Sequence, residues 1–169
     1  MSLIKRIISL SISFIFSASF VCIFIISQNT LWNLFWLKSQ DFDISFLIIF
    51  SSLLHDIQGG LSPVIVQWGI PLSFYSVISV TLLIAFLVTA LVRIILPLNS
   101  RFSYGLAGFS SMYMMITLTI MRYDGIVLIS SARENFGLII FCFIGLLGGF
   151  FFDFLLSLIH ISEPTRHSI

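Results

Sequence analysis

The sequence predicts an all-α, polytopic membrane protein: four transmembrane helices, with an interfacial helical segment in the first outer loop. Two observations carry this. Apolar residues make up 59% of the 169-residue chain and charged residues only 9%, with a mean hydropathy of +1.14. A water-soluble surface draws on roughly a quarter charged residues, so this chain has too few to cover itself. The second observation is distribution. The charges fall between four apolar runs, each close to the ~20 residues a helix needs to cross the hydrocarbon core.

The first run, "IISLSISFIFSASFVCIFII", spans residues 7–26 and follows Lys5 and Arg6. Ser17 and Ser19 could serve a signal-peptide cleavage site, but the apolar run continues beyond them, which favours an uncleaved anchor. Phe20 and Val21 stand where a lipoprotein signal at Cys22 would need small residues. The second span is expected at residues 72–92, closed by Arg93; the third at 104–121, closed by Arg122; and the fourth at 137–155. Together they form one membrane domain over residues 1–155.

Residues 44–54, "ISFLIIFSSLL", end at His55-Asp56 and are too short to span as a helix, so they are expected to lie in the interface or to re-enter. Trp32, Trp36 and Trp68 all fall in this first connection, and indole rings favour the headgroup level. Residues 30–37, "TLWNLFWL", accordingly read as a short interfacial helix. Gly59-Gly60 and Pro63 are expected to break the chain before Pro71 opens the second span.

Lys5, Arg6, Arg93 and Arg101 gather on one side with no acid beside them, whereas Lys38, Arg122 and Arg133 share the other with Asp41, Asp43, Asp56, Asp124 and Glu134. The positive-inside rule then makes both termini cytoplasmic. The connection at 122–135, charged at both ends and apolar between, is expected to dip against the membrane surface, with Arg122/Asp124 and Arg133/Glu134 as solvated neighbours.

Small residues line three of the spans: Ser9, Ser13 and Ser17; Gly105, Gly108 and Ser111; Gly145 and Gly149. In a bilayer such stripes let helices approach closely, and helix packing is the reading preferred over a hydroxyl-lined path. Cys22 and Cys142 sit in apolar runs without a CxxC spacing and read as small buried hydrophobes. Asp153 is the one acid inside a predicted span, expected at the cytoplasmic interface without a basic partner at its depth. His55-Asp56 reads as a solvated turn. The sequence contains no phosphate-binding glycine loop, nucleophile elbow or His/Glu metalloprotease helix, so no catalytic, cofactor-binding or metal residue is assigned. A net charge of +1 with no long basic cluster argues against nucleic acid.

The expected function is that of a non-enzymatic packing or accessory component, bound to the lipid bilayer and to copies of itself or another membrane protein. The alternative is a small oligomeric transporter or channel subunit lined by Asp153, Thr117, Thr119 and the serine stripe.

Two resemblances complete the reading. "ALVRIILPLNSR", "YGLAGFSS" and "GLLGGFFFDFLL" resemble features of small, uncharacterised bacterial four-span inner-membrane proteins, over about residues 72–155. That resemblance implies a bacterial inner-membrane location and brings no known activity. The stretch "LSLIHISEPTR", residues 156–166, resembles the translated sequence of a sequencing-library transposase adapter. It implies that native sequence ends near Leu155, that 156–169 is a non-native tail, and that His160 and His167 carry no function.

Overall fold

Nothing between Leu3 and Ser39 breaks a helix, since the stretch contains neither glycine nor proline. The computed structural model, which describes residues 3–62, 65–67, 70–96, 99–127 and 129–161, accordingly has one continuous helix there, α1 (Leu3–Ser39). At 1.5 Å per residue it is roughly 55 Å long, well beyond the ~30 Å hydrocarbon core. This corrects two expectations, that the first span closes near Ile26 and that residues 30–37 form a separate helix. The polar residues that suggested an exit are satisfied sideways: Gln28 donates to Gly137 O at 3.0 Å, and Thr30 Oγ1 lies 2.6 Å from Asp56 Oδ2.

Ser45 caps α2 (Phe46–Leu61) by accepting from the Ile48 N–H. The helix covers the expected short segment but runs on through His55, Asp56 and Gly59-Gly60, where a break was expected. The reason is contact. A Cβ at Gly60 would overlap the Ile26 side chain of α1, whereas Gly59 faces open space. Gly60 therefore lets α2 lie against α1. The chain next forms a small antiparallel hairpin, β1 (Ile65–Gln67) with β2 (Ile70–Leu72), pairing Ile65 with Leu72, Val66 with Pro71 and Gln67 with Ile70. Pro71 thus belongs to a strand, and Ser73 starts the next helix by accepting from the Ser76 N–H at 3.1 Å. Pro63 and Trp68 lie outside the described residues.

That helix is α3 (Phe74–Ile95). Asn99 caps α4 (Ser100–Arg122), accepting from the Arg101 N–H. The far end of α4 closes with Asp124 at φ 51° and Gly125 at φ 88°, the Gly125 N–H reaching Ile120 O at 2.9 Å. This is the outer bond of a Schellman turn, and the left-handed backbone suits Gly and Asp. A 3-10 turn, Ser130–Arg133, precedes α5 (Asn135–Ile161). Helix α5 continues through Leu156 without interruption; residues 162–169, His167 among them, lie outside the described residues.

Among the described residues, four helices are long and apolar enough to cross a membrane: α1, α3, α4 and α5. The chain is a multi-pass membrane protein. The spans alternate in direction, so the start of α1, the α3–α4 turn and the end of α5 share one end of the bundle, termed here the terminal end.

The most extensive contact is α4 against α5, and it is made by backbone. A Cβ on Gly108 would overlap the Gly145 carbonyl; one on Gly145 would overlap that of Gly108; one on Gly149 would overlap the Tyr104 carbonyl and lie 2.8 Å from Gly105 Cα. Helix α1 packs on the same face of α5 through Ser17, whose Oγ donates to Gly148 O at 2.8 Å, and Gly148 itself meets Val21. The small-residue stripes are thus used inside one chain. Helix α3 contributes Ile78, Leu82 and Phe86 to the core, one per turn, and turns Val80, Ile84, Leu87 and Leu91 outward. Cys22 and Cys142 are buried as small hydrophobes.

Replacing Gly149 by Ala forces the α4 and α5 backbones apart, and an overpacked contact of this kind costs about 1–3 kcal/mol. Reversible unfolding in mixed micelles should register that loss, with Gly59→Ala, which meets nothing, neutral or slightly stabilising.

Candidate functional site

Helix register brings three charged groups, Arg93, Arg101 and Asp153, to the terminal end. Gly149 lies against Tyr104 across the α4–α5 contact. One turn further along α5 is Asp153, and one turn back along α4 is Ser100, so the two must face each other. Ser100 Oγ donates to Asp153 Oδ1, and Arg101 Nε lies 3.8 Å from Asp153 Oδ2. The Asp153 side chain is 9% exposed and that of Arg101 is 73% exposed. Asp153 therefore stands at the N-terminus of α4, where the helix dipole favours a negative charge. The first turn of α4 has no acid of its own; the neighbouring helix supplies one.

Arg93, in the last turn of α3, completes the cluster. Its guanidinium sits over the Tyr104 ring, 5.4 Å from the centroid, a cation–π arrangement. Tyr104 is in turn braced edge-on by Phe86 and Phe152, which stack on each other with centroids 4.6 Å apart. Arg93 Nε is buried and has no hydrogen-bond partner among the described residues. Beside these groups lies a cavity of about 450 Å³, reached by Ser9 and Leu10 of α1, Arg93 of α3, Ser100 and Tyr104 of α4, and Leu156 of α5. The expectation that Asp153 lacks a basic partner at its depth is thereby corrected. Asp153 is distant in sequence from Arg93 and Arg101, and it is the antiparallel α4–α5 register that brings it to their end of the bundle.

The other candidates fall elsewhere. Thr117 Oγ1 donates back to Tyr113 O at 2.7 Å, and Thr119 Oγ1 to Ile116 O at 2.7 Å. Thr117 is half-buried. Ser13 is buried, and its hydroxyl has no partner among the described residues. His55 is 86% exposed and lies 3.4 Å from Asp56, whose other oxygen is engaged by Thr30. Among the described residues no group of three or more His, Cys, Asp or Glu is arranged to hold a metal.

At the opposite end, the connection expected to dip against the membrane is instead fastened to the protein. Asn29 Oδ1 accepts from Ser130 Oγ at 2.8 Å and from the Ser131 N–H at 3.2 Å, and Asn33 Oδ1 accepts from Ser130 Oγ at 2.6 Å. Gly137 lets the Ser131 carbonyl approach where a Cβ would overlap it. Arg133 bonds the Val127 carbonyl at 3.3 Å, and among the described residues it forms no ion pair with Glu134.

No protein-family model, curated protein or solved structure matches the chain. The site is therefore read from its own groups, a hydrogen-bonded carboxylate and the Arg93 guanidinium at an open space, with Arg101 pairing the carboxylate from outside it; these suit recognition of a charged group.

Asp153→Ala removes the acceptor of Ser100 and the anion at α4's N-terminus, and should cost about 2 kcal/mol. Asp153→Asn keeps an acceptor and should cost less. Arg101→Ala should cost under about 1 kcal/mol, because its pairing is solvent-screened. Unfolding titrations of the three variants in one micelle system provide the comparison.

Proposed function

We propose that this chain is a bacterial inner-membrane protein that acts as a non-enzymatic packing or accessory component, with both termini cytoplasmic. The observation that carries the reading is how its small and polar residues are used. Ser17 gives its hydroxyl to the Gly148 carbonyl of α5, Ser111, Thr117 and Thr119 give theirs to their own helix, and the α4 and α5 backbones touch at Gly108 and Gly145. Most hydroxyls that could line a path are thus spent on backbone carbonyls, and the glycine face is closed by helix contact.

The orientation follows from charge. Arg93 and Arg101 lie at the terminal end, where Lys5 and Arg6 belong to the first turns of α1; Asp41, Asp43, Asp56, Asp124 and Glu134 lie towards the opposite end. Helix α2 rests in the outer interface, its Phe46, Leu47 and Phe50 exposed to lipid, to a second copy or to another membrane protein. Nucleic acid has no place in this reading. A second reading, a small oligomeric transporter or channel subunit, draws on the cavity beside Asp153, a polar space at the terminal end.

Single cysteines in a background with Cys22 and Cys142 replaced by Ala separate the readings. The accessory reading expects Ser13→Cys and Thr117→Cys to resist a water-soluble maleimide, while Asp41→Cys reacts in intact cells and Asn99→Cys only after permeabilisation. Reaction of Ser13→Cys and Thr117→Cys at rates near that of Asp41→Cys would favour a path instead, and reversed labelling of the last two would overturn the orientation.

A further inference from the structure

The cavity at the terminal end has a charge balance that the protein itself leaves incomplete. Asp153 is engaged on both oxygens, by Ser100 and by Arg101. Arg93 is not engaged in this way. Among the described residues it makes no ion pair and no hydrogen bond, its Nε–H is buried, and its charge is met only by the Tyr104 ring. A guanidinium carries five donors fixed in a plane, and a buried donor without an acceptor is costly. The missing partner is an oxyanion.

The surroundings of the cavity favour the same sign. Asp153 also lines it, but that carboxylate is already engaged by Ser100, Arg101 and the N-terminal dipole of α4, which leaves Arg93 as the cation without an anion. Arg93, Arg101 and Asp153 together leave one net positive charge. The volume of about 450 Å³ lies within the range of small-molecule sites. Its walls are two-sided in chemistry: Arg93, Ser9, Ser100, Asp153 and Ser157 are polar, while Leu10 leads to the apolar outer face of α1, where Ile7 and Ile8 are exposed. A ligand with a charged head and an apolar body meets both.

We propose that this cavity binds the phosphate of an anionic phospholipid headgroup, with Arg93 donating to the phosphate oxygens and the acyl chains continuing over α1. A planar guanidinium matches phosphate in a way that an ammonium does not, and basic pockets between membrane helices are where such headgroups lodge. Arg93, Ser9, Ser100 and Asp153 precede the adapter-like segment, whose first two residues, Leu156 and Ser157, also line the cavity. The inference rests on the membrane-spanning fold and is independent of the accessory role, so one can fail without the other.

Native mass spectrometry of the purified full-length chain in detergent supplies the test, with phosphatidylglycerol, phosphatidylcholine and inorganic phosphate as probes. The expected result is retention of phosphatidylglycerol about tenfold stronger than of phosphatidylcholine. That preference should disappear in Arg93→Gln, weaken but survive in Arg93→Lys, and persist unchanged in Arg101→Gln. Equal retention of the two lipids by the unaltered protein would overturn the proposal even if Arg93→Gln fails to fold, as would a preference unchanged in a folded Arg93→Gln. Displacement of phosphatidylglycerol by millimolar inorganic phosphate would transfer the site to a soluble phosphate and overturn the lipid assignment.

Discussion

The bundle depends on the backbone contact between α4 and α5. In a bilayer, lipid tails satisfy apolar side chains as well as another helix does, so association rests on close fit and interhelical hydrogen bonds. Gly108, Gly145 and Gly149 provide that fit by leaving no side chain where the two helices meet. The contact also fixes register. With Gly145 on Gly108 and Gly149 on Tyr104, the next turn sets Asp153 against Ser100 and places Phe152 beside Tyr104. A slip by one residue would separate these pairs and leave the carboxylate buried without its donor, which is costly in any low-dielectric setting. The polar cluster at the terminal end is thus a consequence of glycine placement in the middle of the bundle.

Helix α1 depends on the same helix in turn. Its bonds to α5, Ser17 to Gly148 and Gln28 to Gly137, are separated by the same number of residues on both helices, as expected for two helices running antiparallel side by side. Beyond Gln28 the helix keeps going, and its extension becomes a post to which other parts are tied: α2 through Thr30 and Asp56, and the α4–α5 connection through Asn29 and Asn33. The end of the bundle opposite the termini is therefore held by side-chain hydrogen bonds, and the middle by glycine and apolar packing.

These two kinds of contact explain what the sequence disclosed. The three later spans were legible because apolar runs stop at charges; each begins or ends within a few residues of its expected position, apart from α5, which runs on to Ile161. The packing role of the small-residue stripes was legible too. What was missed depends on partners distant in sequence. The string Ser27-Gln28-Asn29-Thr30 looks like an exit from the membrane until Gly137, Ser130 and Asp56 are in place to bond it; the absence of glycine and proline from 3 to 39 was the available signal. Gly59-Gly60 looks like a break until Ile26 is seen to need the space. Arg93 and Arg101 were assigned to the same side as Asp153, but nothing local indicates that they converge on it.

The glycine contact itself can be observed directly in a bilayer. With ten glycines in the chain, glycine-selective carbon-13 labelling at Cα gives a solid-state NMR spectrum simple enough to assign. Cross-peaks linking Gly105 with Gly149 and Gly108 with Gly145 at the shortest mixing times are the predicted result, since each pair has backbone against backbone. Assigned spectra in which those pairs stay uncorrelated while α4 and α5 remain helical would contradict the account, because the register that brings Asp153 to Ser100 would then have no basis.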